Sequence, residues 1–180
     1  MKKSVLALAA VAGLGLTALA AGPAQAMGSG NPYADHQVGV SYTVYQPTYT
    51  NGLKLKSTGD MIPDAYCDAE QALITNYGTS KGRQFSVTEG NPICRDIGNG
   101  PTVYTATIKG AKATVQAYCP PPGNGCSLKD VAKWGGHLTV IFPAVNPYPR
   151  GTQIWIETLK GHAISGNELV KIAQRMQPVG

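Results

Sequence analysis

Alternation of apolar and polar residues predicts β-structure in the first half of the chain. From Val38 to Tyr45, valine or tyrosine at every second position alternates with glycine, serine and threonine. A period of two residues is typical of a strand with one buried face. Pro47 would end this strand, because proline lacks the N–H that a β-ladder needs. Thr58–Pro63 is predicted as a loop, and Phe85–Glu89 as a second, short strand.

The strongest strand pattern lies in the second half. Thr102–Ile108 and Ala113–Tyr118 are rich in Val, Thr, Tyr and Ile, and Lys109–Lys112 between them contains a glycine. β-branched and aromatic residues on both sides of a glycine turn predict a β-hairpin. The same criteria predict two further strands, at Leu138–Phe142 and Thr152–Thr158.

Two segments carry a helical pattern. Pro63–Tyr77 places alanine, leucine and tyrosine three or four residues apart, and Gly78 follows as a helix stop. The segment Ser165–Glu168 has the sequence of a capping box. After it, Leu169–Met176 carries one apolar stripe at helical spacing, and Pro178 is predicted to end that helix.

These elements predict an α+β fold. Strands joined by short turns indicate a curved antiparallel sheet of about five to six strands with helices on one face. The C-terminal helix is too short to be stable by itself. We therefore expect it to bury its apolar stripe on the sheet.

The N-terminus has the three parts of a secretory signal peptide. Lys2 and Lys3 give a positive region, Ser4–Ala21 is a run of small and apolar residues, and Ala24–Ala26 fits a cleavage site. A transmembrane anchor is the alternative, but the run is rich in alanine and glycine and short for a stable span.

The domain organisation follows from this assignment. We expect residues 1–26 to be removed, residues 27–36 to form a flexible leader, and residues 37–180 to form a single domain that is secreted or otherwise extracytoplasmic. No other segment is long and apolar enough to cross a bilayer.

Charge argues against a nucleic-acid partner. The full chain has 15 basic and 10 acidic residues. Removing the signal peptide leaves 13 basic and 10 acidic residues, a net charge of +3. A nucleic-acid surface would need a basic stripe with interleaved aromatic residues, and the sequence has none.

Four cysteines follow the signal peptide: Cys67, Cys94, Cys119 and Cys126. An even number in an exported chain predicts two disulfides. Cys119 and Cys126 enclose a loop of prolines and glycines, so we favour Cys119–Cys126 and, by elimination, Cys67–Cys94. A zinc site near His137 is the alternative, although the spacing of common zinc motifs is absent.

The sequence shows no strong catalytic constellation. The histidines are His36 in the leader, His137 at the start of a strand and His162 before the last helix. A cysteine nucleophile needs a free thiolate, which paired cysteines do not offer. We therefore predict no catalytic residue and no cofactor.

Acidic residues gather in one region, which raises the question of a metal. The group consists of Asp60, Asp64, Asp68 and Glu70. A calcium site there is the alternative to a solvated helix, but the spacing lacks the alternation and turn glycine of an EF-hand loop. We predict no metal.

Aromatic residues provide the candidate binding surface. The set consists of Tyr42, Tyr45, Tyr49, Trp134, Tyr148 and Trp155. Exposed tyrosine and tryptophan supply rigid contact area with a polar tip. The alternative, which we favour, is that these residues cover the sheet and the edges of its core.

Part of the chain resembles a known group of domains. The matching segments are Tyr45–Tyr49, Ile108–Ala113, Trp134–Gly136, Gly151–Ile156 and Ile164–Ala173. They resemble bacterial extracytoplasmic sensor-like domains found beside anti-sigma factors, related in fold to periplasmic lipoprotein carriers. The resemblance implies a half-barrel sheet that could hold an apolar ligand or a partner peptide, and it implies no catalytic residues.

Together these patterns predict a secreted, non-enzymatic binding or interaction domain of the bacterial cell envelope, with a protein, a peptide or an apolar ligand as partner. One alternative is a secreted protease inhibitor that presents the Cys119–Cys126 loop. Another is a small secreted hydrolase that uses His137 or His162.

Overall fold

A computed structural model describes residues 28–62, 70–91, 93, 100–120 and 125–179. The predicted signal peptide lies outside the described residues. The strands are β1 (Tyr45–Pro47), β2 (Leu55–Met61), β3 (Ala72–Gly78), β4 (Gln84–Gly90), β5 (Thr102–Ile108), β6 (Ala111–Ala117), β7 (Gly135–Phe142), β8 (Thr152–Leu159) and β9 (Met176–Pro178). The helices are α1 (Pro32–Gln37), α2 (Val131–Trp134) and α3 (Gly166–Gln174), and a 3₁₀ turn at Leu128–Asp130 precedes α2.

Strands β2 to β8 form one open sheet in the order β2-β3-β4-β8-β7-β6-β5. Every neighbouring pair is antiparallel, and β1 and β9 form a separate two-stranded ribbon. The antiparallel sheet agrees with the predicted fold class. The sheet has seven strands instead of five or six, because β3 lies in a predicted helix and most of β2 lies in the predicted loop Thr58–Pro63.

The central strand β8 is covered on both faces. Ile156 is 0 % exposed on one face and Trp155 is 2 % exposed on the other, because successive side chains of a strand point to opposite sides. We name the side of Ile156 the core face and the side of Trp155 the polar face. Val87 and Leu138 flank Ile156 in register and are also buried, so the hydrophobic core lies on the core face.

Helices α1 and α3 contribute to this core. Tyr33 of α1 is buried, and its hydroxyl donates to Thr75 on the core face at 3.0 Å. Leu169 and Ile172 of α3 belong to the same hydrophobic cluster. The C-terminal helix therefore packs on the sheet, as the apolar stripe predicts.

The two ends of α3 differ in how well the sequence predicts them. The capping box forms as predicted: the Ser165 hydroxyl accepts from the Glu168 N–H, and the Glu168 carboxylate accepts from the Ser165 N–H. The predicted stop at Pro178 is wrong. The helix ends at Gln174, and Met176–Pro178 pair with β1 as strand β9.

The helix predicted at Pro63–Tyr77 is wrong in its second half, which forms β3; residues 63–69 lie outside the described residues. Leu73 and Tyr77 are four residues apart, a spacing that suits both a helix and an alternating strand. With Thr75 between them, they are buried on the core face. The four-residue spacing alone cannot separate the two structures.

The strand predicted at Val38–Tyr45 and the flexible leader before it also differ from the structure. Residues 32–37 form α1, which Asn31 caps by accepting from the Tyr33 N–H at 3.1 Å. The strand β1 begins only at Tyr45, and Val38 is 89 % exposed. An asparagine followed by proline at the first helical position favours a helix start, which accounts for α1 in the segment predicted as a leader.

Cys119 and Cys126 form a disulfide, as predicted, with Cα atoms 6.4 Å apart. Cys67 and Cys94 lie outside the described residues, so their pairing stays a prediction. Disulfides are typical of oxidising compartments. Within the described ranges, no helix combines the length and apolar character of a membrane span.

Candidate functional site

The six aromatic residues of the candidate binding surface do not form one exposed surface. Tyr42, Tyr45 and Trp155 are buried. The other three, Tyr49, Trp134 and Tyr148, are half-buried and have different surroundings. The ammonium groups of Lys133 and Lys160 lie near the Trp134 ring, and that of Lys171 lies over the Tyr49 ring. Tyr148 lines a cavity with Thr43 and Pro178.

A row of polar side chains crosses the polar face instead. Its members occupy registered positions on the adjacent strands β3, β4, β8, β7 and β6. They are Asn76, Ser86, Glu157, His137 and Gln116. Registered neighbours in an antiparallel sheet point to the same side and lie close together. The row therefore brings a carboxylate, a hydroxyl, an amide and an imidazole side by side.

Tyr118 links two members of this row through hydrogen bonds. Its hydroxyl donates to Glu157 Oε1 at 2.7 Å and lies 2.9 Å from His137 Nδ1. Because the single phenolic hydrogen goes to the carboxylate, the hydrogen between Tyr118 and His137 comes from Nδ1. The chain of bonds therefore runs from His137 through Tyr118 to Glu157.

His137 is held rigidly in its neutral form. The residue is 2 % exposed, and burial lowers the pKa of its imidazole from 6.5 to about 4. The ring of Trp155 meets the imidazole edge-on with centroids 5.2 Å apart. A neutral histidine supplies no positive charge to balance Glu157.

Two glycines allow β7 to place His137 in this position. Gly135 has φ of 83°, a left-handed conformation that other residues rarely adopt. A Cβ on Gly136 would lie 2.3 Å from the carbonyl oxygen of Gln116. Only glycine at position 136 therefore allows β7 to approach β6 this closely.

Glu157 borders a small cavity of about 190 Å³, which we name the Glu157 cleft. The cleft is lined by Ile74, Asn76, Gln84, Phe85, Ser86, Glu157, Thr158, Leu159 and His162. His162 lies in the turn after β8, and its Nδ1–H donates to the carbonyl oxygen of Gly82 at 2.7 Å. Of the two histidines that the sequence offered for chemistry, His137 is linked to Glu157 through Tyr118, and His162 lines the same cleft as Glu157.

Around the Glu157 cleft, the described residues show no serine hydroxyl that is hydrogen-bonded to a histidine. Catalysis by serine needs its hydroxyl within hydrogen-bond reach of a base. Ser86 is in register with Glu157 but makes no hydrogen bond to a histidine within the described part of the chain. Gly78–Gly82 has G-x-S-x-G spacing, but it forms the turn between β3 and β4, whereas the hydrolase motif requires a turn from strand to helix.

His36 is also fully engaged. Its Nδ1 lies 3.0 Å from Asp60 Oδ1, and its Nε2 lies 2.8 Å from the Tyr42 hydroxyl. Tyr42 is buried, and desolvation raises the pKa of its phenol far above the ordinary value. This arrangement fixes α1 against the sheet and presents no accessible nucleophile.

The zinc alternative finds no support at its predicted place. Cys119, Cys126 and Asp130 offer atoms within 4.8 Å of one another. However, zinc binds thiolates, and these two cysteines are joined in a disulfide. His137 is bonded to Tyr118 and lies outside this group.

The protease-inhibitor alternative stays a prediction. The disulfide closes the loop, but residues 121–124 lie outside the described residues.

Of the acidic group predicted around position 60, Asp64 and Asp68 also lie outside the described residues. The Glu70 carboxylate accepts a hydrogen bond from the Ser41 N–H and pairs with Arg150.

Sequence reasoning missed Glu157, Tyr118, Asn76 and Ser86. The signal was present in β8, where Gln153, Trp155 and Glu157 alternate with buried isoleucines. That alternation identifies which side chains of β8 share a face, but not which strands lie beside β8.

The chain matches no protein-family model, no curated protein and no solved structure.

Proposed function

We propose that this chain is a secreted, non-enzymatic binding domain of the bacterial cell envelope, and that the Glu157 cleft is its ligand site. One observation carries the proposal: a partly buried hydrogen-bond chain from His137 through Tyr118 fixes the Glu157 carboxylate beside a cavity. Secretion is supported by the sequence of residues 1–26 and by the Cys119–Cys126 disulfide.

The energetic cost of the arrangement supports a role in binding. Burying a histidine in its neutral form costs free energy wherever the unfolded chain would protonate it. Polar networks of this kind stabilise a defined geometry only when every member is satisfied. Threonine at the row positions would be enough to form the sheet. This chain has threonine at three positions of the neighbouring row on the same face, Thr88, Thr139 and Thr114.

The size of the cleft limits its ligand. Pockets for drug-sized molecules have volumes of about 300–1,000 Å³, and the Glu157 cleft has about 190 Å³. It fits a small molecule or the terminal group of a larger one. We expect recognition of a chemical group, with the rest of a larger partner lying over the open polar face.

Chemical-shift mapping tests this proposal. The ¹⁵N-labelled mature protein would be titrated with a panel of amino acids, monosaccharides, simple amines and short peptides. We expect at least one class to shift the amides of Asn76, Ser86 and His162 in a saturable manner. A panel that leaves these three amides unchanged would refute the assignment of the cleft.

A pair of variants localises the binding. Ser86→Leu places a larger side chain in the cleft and should abolish the shifts, whereas Thr114→Leu lies on the same face away from the cleft and should retain them. Mass spectrometry of the exported protein tests secretion separately: the expected N-terminus is Met27, and a chain that retains residues 1–26 inside the cell would contradict it.

A further inference from the structure

We infer that the Glu157 cleft binds a small organic cation, an ammonium or guanidinium group. This inference rests on the proposed function and adds the chemical class of the ligand. It follows from the charge of Glu157, from the hydrogen-bonding groups that line the cleft and from the way in which those groups are already engaged.

Among the described residues, no lysine, arginine or protonated histidine forms an ion pair with Glu157. None of the described residues that line the cleft is a lysine or an arginine. Across the described ranges, the ion pairs involve Asp60, Glu168 and Glu70 but not Glu157. Tyr118 donates one hydrogen to Oε1, and a phenol is neutral. A partly buried carboxylate without a counterion favours a cationic ligand.

Three described side chains of the lining offer hydrogen-bond acceptors to a ligand. His162 donates Nδ1–H to Gly82, so in the neutral ring Nε2 carries a lone pair. Asn76 donates through Nδ2 to Ser57 Oγ at 3.2 Å, which leaves its Oδ1 as an acceptor. Together with Glu157 Oε2, three acceptors come from separate parts of the fold.

Part of the donor capacity of the lining is already used. The Thr158 hydroxyl donates to the carbonyl oxygen of Gln84 at 3.0 Å and is not available to a ligand. Ser86 and the Gln84 side chain can donate or accept. An ammonium group brings three donors and a guanidinium group five, so either matches the acceptors of this lining, while an anion would be repelled by the Glu157 carboxylate.

The hydrogen-bond chain behind Glu157 explains how the carboxylate is kept ready for such a ligand. Tyr118 holds Oε1, and His137 holds Tyr118. The carboxylate therefore cannot rotate freely, and less rotational entropy is lost on binding. His137 and Tyr118 act as positioning residues in this arrangement and do not contact the ligand.

A matched pair of probes tests the inference. Methylguanidinium and methylurea have nearly the same size and shape, but only methylguanidinium is charged. We expect methylguanidinium to shift the amides of Asn76, Ser86 and His162 with an affinity at least about ten-fold higher than methylurea, since hydrogen bonds to charged groups are the stronger ones. Binding should weaken as sodium chloride is raised to about 0.5 M, because salt screens the attraction.

Glu157→Gln gives the complementary test. The amide oxygen of glutamine can still accept from Tyr118, so the fold should be retained, and the affinity for methylguanidinium should fall about ten-fold to the level of methylurea. Glu70→Gln changes a half-buried glutamate that lies outside the cleft and should leave the affinity unchanged. If Glu157→Gln does not fold, the comparison of the two probes on the unmodified protein still decides.

The outcomes separate the two proposals. The assignment of an organic cation would be overturned if methylurea and methylguanidinium bound the cleft equally well. It would also be overturned if an uncharged panel member bound and methylguanidinium did not. In both cases the cleft would remain a binding site. Tight binding of Ca²⁺ or Zn²⁺ alone that excludes methylguanidinium would also overturn the organic cation. If no probe shifts the three amides, both proposals fail.

Discussion

The carboxyl group of Glu89 accepts a hydrogen bond from the backbone N–H of Tyr45 at 2.7 Å, inside the core. Glu89 is 0 % exposed, and its Oε1 has no hydrogen-bond partner among the described residues. Burial therefore raises the pKa of this carboxyl group well above 4.5. Glu157 on the neighbouring strand β8 is, by contrast, half-buried, and its Oε1 accepts a hydrogen bond from Tyr118.

Glu89→Gln should make the protein more stable at neutral pH. The pKa of Glu89 is higher in the folded than in the unfolded state, so its favourable contribution is complete below about pH 4.5 and is lost as the pH rises towards the folded-state pKa. Glutamine keeps the acceptor for Tyr45 and never ionises. We expect a gain of at least about 1 kcal/mol at pH 7 and none at pH 4, measured by urea unfolding.

Glu70→Gln provides the control for this prediction, because Glu70 pairs with Arg150 and lies partly in solvent. It should lack the gain at neutral pH. Parallel stability curves for the unmodified protein and Glu89→Gln between pH 4 and 7 would mean that the buried carboxyl group does not perturb folding.

The parts of the fold that the sequence predicts well are those whose signals are local. The hairpin of β5 and β6 depends on a glycine turn between β-branched residues, and the start of α3 depends on Ser165 and Glu168. Segment 72–78 is different, because Leu73 and Tyr77 satisfy two periods at once. Its pairing with β4 decides in favour of the strand.

The candidate site depends on strand order, which no local pattern contains. Tyr118 and Glu157 are 39 residues apart, and Tyr118 and His137 are 19 apart. They meet because β8 lies next to β7, and β7 next to β6. The sequence identified His137 as a candidate for chemistry, but its partners could be found only from the register of the sheet.

Tyr118→Phe should destabilise the fold. The substitution keeps the ring and removes the hydroxyl that satisfies both Glu157 and His137. Leaving a polar group unsatisfied costs about 1–3 kcal/mol when the group is buried, as His137 is. Tyr104→Phe is the matched control: Tyr104 is 43 % exposed, and its loss should change the free energy of unfolding little. If Tyr118→Phe and Tyr104→Phe lost similar amounts of unfolding free energy, the hydrogen-bond chain would not contribute to stability.

Replacing both Cys119 and Cys126 with serine should lower stability by about 2–3 kcal/mol. The two cysteines are separated by 7 positions, and a short closed loop restricts the unfolded chain to this extent. Thermal unfolding with and without reductant measures the effect. Reductant should lower the melting temperature of the unmodified protein more than that of the double variant, and an equal response in the two would contradict a contribution from this disulfide.

His137 and Glu89 should give opposite pH dependences, and variants should separate them. The pKa of His137 falls from 6.5 to about 4 on folding, so its contribution is complete above pH 6.5 and is lost as the pH falls to about 4, by up to about 2–3 kcal/mol. Glu89 acts in the other direction above pH 4.5. Between pH 4.5 and 6.5 the two effects oppose each other in the unmodified protein. Glu89→Gln should expose a rise of stability with pH, and His137→Gln should expose a fall. A His137 ring that titrates near 6.5 by NMR would contradict the assignment, because the imidazole would then not be desolvated.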